Sequence, residues 1–212
     1  MFVLTIDQRA SRSTGDRVPE LLSRADELWP GIVAGSPAPP PAGVVLGFER
    51  TVGDEVQAVL DEPALVVDVA LRVLRLGGWS VGVGCGRVDE PLADSSRAAS
   101  GPAFVLARDA VEAAKSRQRV LPLAVRGAHH QTGLDAEAVL TLVAATAARR
   151  TPAGWEAVDA VEAAGADVRQ EDVAAGMGIT QQAVSQRLRT ALYDEARAAA
   201  GAAARLLVGA QG

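Results

Sequence analysis

The alternation of hydrophobic and polar residues predicts strands and helices in regular succession over residues 1–150. Strands are predicted from short apolar runs rich in β-forming residues, at 2–6, 44–49, 56–60, 79–85 and 119–125. Helices are predicted from apolar residues spaced three and four apart, over 18–28, 63–76, 101–115 and 134–149. The order β-α-β-β-α-β-α-β contains a βαββαβ unit. We therefore expect an α+β, ferredoxin-like domain with the helices of this unit on one face of its sheet.

Proline and glycine mark the connections between these elements. Residues 30–43 contain five prolines and three glycines and predict a connector without a core of its own. Gly53 and Asp54 are turn residues and predict a β-hairpin between the second and third strands. After Pro152 the pattern is helical only, over 154–164, 170–177 and 180–200. We therefore place a domain boundary at residue 150, followed by an all-α domain over 151–212.

Residues 170–191 have the pattern of a helix-turn-helix. Val173 and Met177 are four apart and lie on one face of a short predicted helix. Gly178 follows at the point where a chain leaving a helix often takes a left-handed conformation. Thr180 can then cap a second helix.

The exposed face of this second helix carries side chains that suit DNA. Amide, hydroxyl and guanidinium groups can contact base edges and phosphates in the major groove. The candidate DNA contacts are Thr180, Gln181, Gln182, Ser185, Gln186 and Arg189. The pattern predicts binding to double-stranded DNA. The alternative is an alanine-rich helical hairpin that only packs against the rest of the chain.

The charge of the chain limits how it could bind DNA. The net charge is −5 at pH 7, and residues 151–212 hold five arginines and eight acidic residues, a net charge of −3. A monomer with this charge would bind DNA weakly, so we expect a homodimer that reads two half-sites. The long last helix has Leu192, Tyr193, Ala196 and Ala200 on one side. This apolar stripe is either the dimer contact or packs on the N-terminal domain of its own chain.

The composition gives no sign of a membrane or secreted protein. No apolar run reaches the roughly 18 residues of a membrane span, and the N-terminus lacks the basic and apolar regions of a signal peptide. Cys85 is the only cysteine, which excludes an intrachain disulfide and a cysteine metal cluster. We expect a cytoplasmic protein without a membrane partner.

Three acidic residues predict a metal site. Asp7 ends the first strand, and Asp54 and Glu55 lie in the hairpin of the strands expected beside it. Converging carboxylates repel one another unless they share a cation, and Mg²⁺ prefers oxygen ligands. Bound Mg²⁺ would hold nucleotide phosphates, and Arg9 and Arg12 could clamp them. The alternative is a set of solvated loop residues.

Two further patterns are interpreted structurally. Gly82, Gly84 and Gly86 lack the spacing of a phosphate-binding loop, so we expect a strand that another backbone or a ligand approaches closely. His129 and His130 are the only histidines and are expected in a surface loop rather than as metal ligands.

The strand-ending Asp7, the hairpin Gly53-Asp54-Glu55 and the later helix at Gly101 resemble the palm-type catalytic domain of class III nucleotide cyclases and diguanylate cyclases. More closely, the segments LTIDQRASR, FERTVGDEVQAVL, GWSVGVGCGRV and GPAFVLARDAVEAAK resemble the SatD family. Its members pair such a domain with a C-terminal helix-turn-helix. The resemblance covers most of the chain and implies that the three acidic residues are metal ligands.

At two positions of the later helix, this sequence departs from the pattern of the cyclases. The position of a cyclase Asn holds Val105, and Arg108 lies one residue before the position of the cyclase Arg. Those two groups stabilise transition-state charge, so their loss implies nucleotide binding more than catalysis.

Two main hypotheses result. The leading one is a DNA-binding transcriptional regulator whose N-terminal domain senses a ligand, such as a nucleotide with Mg²⁺. The other is a nucleotidyl cyclase-like phosphoryl-transfer enzyme that uses Asp7, Asp54 and Glu55 with Mg²⁺. A protein-interaction adaptor with neither activity is the third alternative.

Overall fold

The structure, a computed structural model, describes residues 1–165 and 168–212. Its strands are β1 (Phe2–Gln8), β2 (Val44–Arg50), β3 (Glu55–Leu60), β4 (Trp79–Cys85) and β5 (Leu123–Gly127). The helices of the described chain are α1 (Ser11–Thr14), α2 (Val18–Leu28), α3 (Pro63–Leu76), α4 (Pro102–Ala114), α5 (His130–Ala147), α6 (Pro152–Ala164), α7 (Gln170–Met177), α8 (Gln181–Thr190) and α9 (Tyr193–Gly209). None of these helices has the length and apolarity needed to cross a bilayer.

β1 lies at the centre of a five-stranded sheet with the order β2-β3-β1-β4-β5. It pairs antiparallel with β3 and β4, β2 pairs antiparallel with β3, and β5 runs parallel to β4. The β2–β3 hairpin is confirmed, and Gly53 in its turn has a φ of 61°, which glycine adopts without strain. The mixed sheet-and-helix architecture agrees with the α+β class predicted from the order of apolar segments.

The two faces of the sheet bury different helices. Phe2, Leu4 and Ile6 of β1 point into the main hydrophobic core, which also contains residues of α2, α3, α5 and α9. Val3 points to the opposite face, where it packs with Ala103 of α4 and other residues. This alternation follows from the two-residue period of a strand. The sheet is therefore covered by helices on both faces, with α2 and α3 of the βαββαβ unit on the same one.

The glycines of β4 allow α4 to lie directly against the strand. A Cβ atom on Gly82 would lie 2.7 Å from the carbonyl oxygen of Ala107, and one on Gly84 would overlap the backbone of Ala103 and Ala107. This confirms the expectation that another backbone approaches the strand closely at these positions.

A second, smaller hydrophobic cluster joins α6, α7 and α8. Its buried members are Ala157, Val158, Val173, Ala174, Val184, Leu188 and Ala191. α9, which follows them in the chain, contributes Ala203 and Leu207 to the main core instead. Residues 151–212 thus contribute to both hydrophobic clusters.

The prediction of one continuous helix over 180–200 is wrong, because the chain turns between α8 and α9. Leu192 takes a left-handed conformation with φ 50° and ψ 45°. The carbonyl of Ala191 accepts a hydrogen bond from Nε of Arg150 at 2.9 Å, which satisfies a helix-terminal acceptor. Asp194 and Glu195 occupy the first turn of α9, where acidic side chains stabilise a helix start.

The apolar stripe on the last helix is used within the chain. Ala196 is buried, Ala200 packs against the main core, and Tyr193 packs against the α6–α8 cluster. Only Leu192 of this stripe is largely open to solvent, with 45% of its surface exposed. Of the two alternatives for the stripe, the structure therefore shows packing on the helix's own chain.

Two local predictions are wrong. The connector over 30–43 does contribute to the core, because Ile32 is fully buried and its carbonyl accepts from the amide of Phe48 at 2.8 Å. His130 begins α5 instead of lying in a loop, although both it and His129 are exposed as expected.

Replacing Gly84 with alanine should lower the free energy of unfolding by about 1–3 kcal/mol, the usual cost of overpacking a tight site. The added methyl group meets helix backbone, which has little freedom to move away. Gly176→Ala is the matched control: nothing lies within 4 Å of its Cβ position, so alanine in α7 should stabilise by up to about 1 kcal/mol. Urea denaturation measures both changes, and equal effects of the two substitutions would contradict this account.

Candidate functional site

The end of β1 brings the predicted acidic residues to one corner of the sheet. In the strand register, Asp7 lies opposite Glu55 of β3 and opposite Ser80 of β4. The amide of Gln8 donates to the carbonyl of Asp54 at 3.2 Å, which holds the hairpin turn beside β1. We call Asp7, Asp54 and Glu55 the acidic corner.

Lys115 lies within the acidic corner. Its Nζ atom is 3.0 Å from Oδ2 of Asp7 and 2.7 Å from Oε1 of Glu112. It follows the last residue of α4, so the close packing of that helix on β4 carries its side chain to the end of β1. A cation thus already neutralises Asp7, whose side chain is 15% exposed.

The partial burial of Asp7 changes the pKa of its carboxyl group. Burial raises the pKa of its carboxyl group above the ordinary value, and the charges of Asp54 and Glu55 raise it further. The ion pair with Lys115 opposes this rise without cancelling it. The corner therefore holds a charge that is costly to bury and is stabilised only in part.

The acidic corner does not form a metal ligand set in this arrangement. Within residues 1–165 and 168–212, no three or more His, Cys, Asp or Glu side chains are grouped so that they could hold a metal ion. One oxygen of Asp7 is paired with Lys115, and one oxygen of Glu55 accepts from the Thr51 hydroxyl at 2.8 Å. As placed, the three carboxylates are not grouped as a ligand set, and the Mg²⁺ site stays a prediction.

A buried glutamine orders the loop that carries the candidate phosphate ligands. The side-chain amide of Gln8 donates to the hydroxyl of Thr14 at 3.0 Å and accepts from the amide of Arg17 at 2.8 Å. Arg9 lies in this segment just before α1 and Arg12 lies within α1, and both side chains are exposed. Both arginines therefore lie in the segment that follows the end of β1.

The second predicted region, α7 to α8, has the local geometry that its sequence indicated. Gly178 ends α7 in the left-handed conformation, with φ 65° and ψ 29°. The hydroxyl of Thr180 accepts from the amide of Ala183 at 3.1 Å and caps α8. Val184 and Leu188 of α8 are buried against α6 and α7, so the opposite side of α8 faces solvent.

The solvent-facing side of α8 is polar and has no partners within the described chain. Around a shallow surface hollow lie five residues of α8 and the first residue of α7: Gln181, Gln182, Ser185, Gln186, Arg189 and Gln170. None of these side chains forms an ion pair or a side-chain hydrogen bond with the described residues 1–165 and 168–212. By contrast, Arg187 on the flank of α8 pairs with Glu156 at 2.7 Å. The six polar side chains are therefore available for contacts outside the chain, and we call them the α8 polar face.

The chain matches no protein-family model, no curated protein and no solved structure. Its function is therefore inferred from the acidic corner and the α8 polar face.

Sequence reasoning missed two residues that lie beside Asp7 in the acidic corner, Lys115 and Ser80. Lys115 is the only lysine among the 21 basic residues of the chain. This rarity could have marked it as a candidate site residue. Nothing in the sequence marked Ser80. In the structure it lies opposite Asp7 in the strand register, and its buried hydroxyl has no hydrogen-bond partner among the described residues.

Asp7→Asn and Glu137→Gln should change stability in opposite directions near neutral pH. The pKa of Asp7 is raised by burial, so the folded state holds this proton more tightly and the wild type loses stability as pH rises through the shifted range. Burial also acts to raise the pKa of Glu137, but hydrogen bonds from Arg119 and the Val125 amide lower it overall. Its stabilising contribution is present above the ordinary pKa and is lost on acidification.

Urea denaturation from about pH 3 to about pH 7 tests this contrast. Relative to wild type, Asp7→Asn should gain stability as pH rises and Glu137→Gln should lose it. A loss for both variants as pH rises would show that the Lys115 pair outweighs the burial of Asp7.

Proposed function

We propose that this protein is a DNA-binding transcriptional regulator that reads double-stranded DNA with α8. The observation that carries this proposal is the α8 polar face, whose side chains have no partners within the described chain. Glutamine amides can pair with adenine, arginine can pair with guanine or phosphate, and serine can contact either. A second helix presented after a short capped turn is the geometry with which a helix-turn-helix enters the major groove.

The charges around α8 favour sequence-dependent contacts over general phosphate binding. Arg189 is the only cation on the α8 polar face, and the neighbouring Arg187 is paired with Glu156. Residues 151–212 carry a net charge of −3. Few phosphate contacts mean low affinity for a single copy, so the proposal includes a homodimer that places two copies of α8 on two half-sites. Such a regulator would act in the cytoplasm.

The N-terminal part is proposed to sense a ligand. The strand order β4-β1-β3-β2, with α2 and α3 on one face, supports the proposal that this part is a ferredoxin-like, palm-type unit of the SatD family. A nucleotide is the proposed ligand, with Lys115, Arg9 and Arg12 as cations for its phosphates. Mg²⁺ enters this proposal only together with a nucleotide, because Lys115 already neutralises Asp7.

Selection from a genomic DNA library at low salt should enrich a defined sequence for the wild-type protein. Gln182→Ala and Arg189→Ala should each weaken binding to that sequence by roughly tenfold or more, since a good base contact contributes about 1–3 kcal/mol. Arg205→Gln, at an exposed position on α9, is the charge-matched control for Arg189 and should leave affinity unchanged. Enrichment of no sequence would refute the proposal.

A phosphoryl-transfer enzyme is the second candidate, because the register brings Asp7 and Glu55 together beside Asp54 at one edge of the sheet. Incubation with each nucleoside triphosphate and Mg²⁺ or Mn²⁺ should then release a cyclic or condensed nucleotide. Asp54→Asn should abolish that product, whereas Asp94→Asn, at an exposed position in another loop, should not. No product with any nucleotide would exclude this candidate in favour of ligand sensing.

A further inference from the structure

A cavity of about 750 Å³ lies between the sheet-covering helices and α6. Its apolar wall is built from α3, α5 and α9, with Val67, Leu71, Val143, Ala147 and Ala200 among its residues. This volume lies within the range of pockets that enclose small organic ligands, roughly 300–1,000 Å³. The cavity is separate from both the acidic corner and the α8 polar face.

Two arginines of α3 at this cavity are already neutralised. Arg72 pairs with Asp68 at 2.8 Å and with Glu162 of α6 at 2.9 Å. Arg75 pairs with Asp159 of α6 at 2.5 Å. These ion pairs join α3 to α6 and leave little positive charge on these side chains for a ligand.

Two other arginines line the cavity without a carboxylate partner in the described chain. Arg150 lies just before α6, and Arg197 is on α9. The guanidinium carbon of Arg150 is 4.7 Å from the ring centre of Trp155, and its Nε donates to the Ala191 carbonyl. Its remaining N–H groups have no acceptor among the described residues. Burial lowers the pKa of Arg150, and the nearby charge of Glu162 opposes this lowering without cancelling it.

We propose that this cavity binds a small amphipathic anion: an aliphatic or aromatic carboxylate of about ten carbons, within the size range of such pockets. The apolar body of the ligand would lie against α3, α5 and α9. Its carboxylate would accept hydrogen bonds from Arg150, with Arg197 as a second cation at the cavity wall. Charge-assisted hydrogen bonds of this kind are stronger than neutral ones, and they would use the N–H groups of Arg150 that have no acceptor among the described residues.

The same ligand would act on α8 through Arg150, an inference that rests on the proposed DNA-binding function. Arg150 holds the carbonyl of Ala191, the residue that follows α8. A carboxylate bound to the guanidinium group would compete for the orientation of this side chain. Ligand binding would therefore change the anchoring of the C-terminal end of α8.

Isothermal titration of the full chain with decanoate tests the site, with decanol as the uncharged ligand of equal length. We expect saturable binding of one decanoate per chain and at least about tenfold weaker binding of decanol, the difference expected of a charge-assisted contact. No saturable binding of decanoate, or equal binding of decanol, would overturn the proposal.

Paired variants locate the binding. Arg197→Gln and Arg150→Gln should each weaken decanoate binding several-fold, whereas Arg108→Gln, at an exposed position of α4 away from the cavity, should not. Ala200→Leu fills the cavity and should abolish binding of both ligands, while Ala198→Leu, at an exposed position of α9, should not. Circular dichroism identifies any variant that fails to fold. Arg197 is itself exposed, so its substitution tests the charge without disturbing the core. Unchanged decanoate binding in folded Arg197→Gln and Ala200→Leu would place the ligand elsewhere and overturn the proposal.

Ligand binding in the cavity and DNA binding by α8 can be tested independently of each other. Decanoate titration requires no DNA, so a protein that selects no DNA sequence can still show the site. If decanoate binds as expected but leaves the affinity for a selected DNA sequence unchanged, the site stands and its coupling to α8 is refuted.

Discussion

The antiparallel pairing of β1 with both β3 and β4 is the constraint on which the acidic corner depends. It places Asp7 opposite Glu55 on one side and opposite Ser80 on the other. Since β3 is joined to β2 by a short turn, Asp54 also lies at the end of β1. A register shift of one residue would turn Asp7 to the other face of the sheet, so the corner exists only in this register.

The glycines of β4 extend this constraint to Lys115. Because Gly82 and Gly84 have no side chains, the backbone of α4 lies against the strand. The end of α4 then reaches the end of β1, and the lysine that follows it pairs with Asp7. The ion pair between Lys115 and Asp7 therefore depends on the close packing of α4 on β4. An anionic ligand at the corner would compete with Asp7 for Lys115.

The periodicity of apolar residues was sufficient to predict the strands and most of the helices, because each buries a regular face. It failed where distant contacts decide the conformation. The left-handed turn at Leu192 has no glycine or proline to signal it, and it depends on Arg150 and on the burial of α9 in the main core. Lys115 was missed because its partner Asp7 is far away in the sequence. The α8 polar face could be predicted, since capping and burial within α7 and α8 are local.

The ion pairs that join α6 to α3 beside the cavity are weak in energy. The ion pairs of Arg72 and Arg75 with α6 are partly exposed, and such pairs contribute only about 0–1 kcal/mol each. Trp155 adds contacts with Arg75 on one side and Arg150 on the other. The proposed ligand would bind beside these contacts and reach Arg150, which holds the carbonyl of Ala191 at the end of α8. A ligand there would alter the anchoring of α8 without touching the α8 polar face.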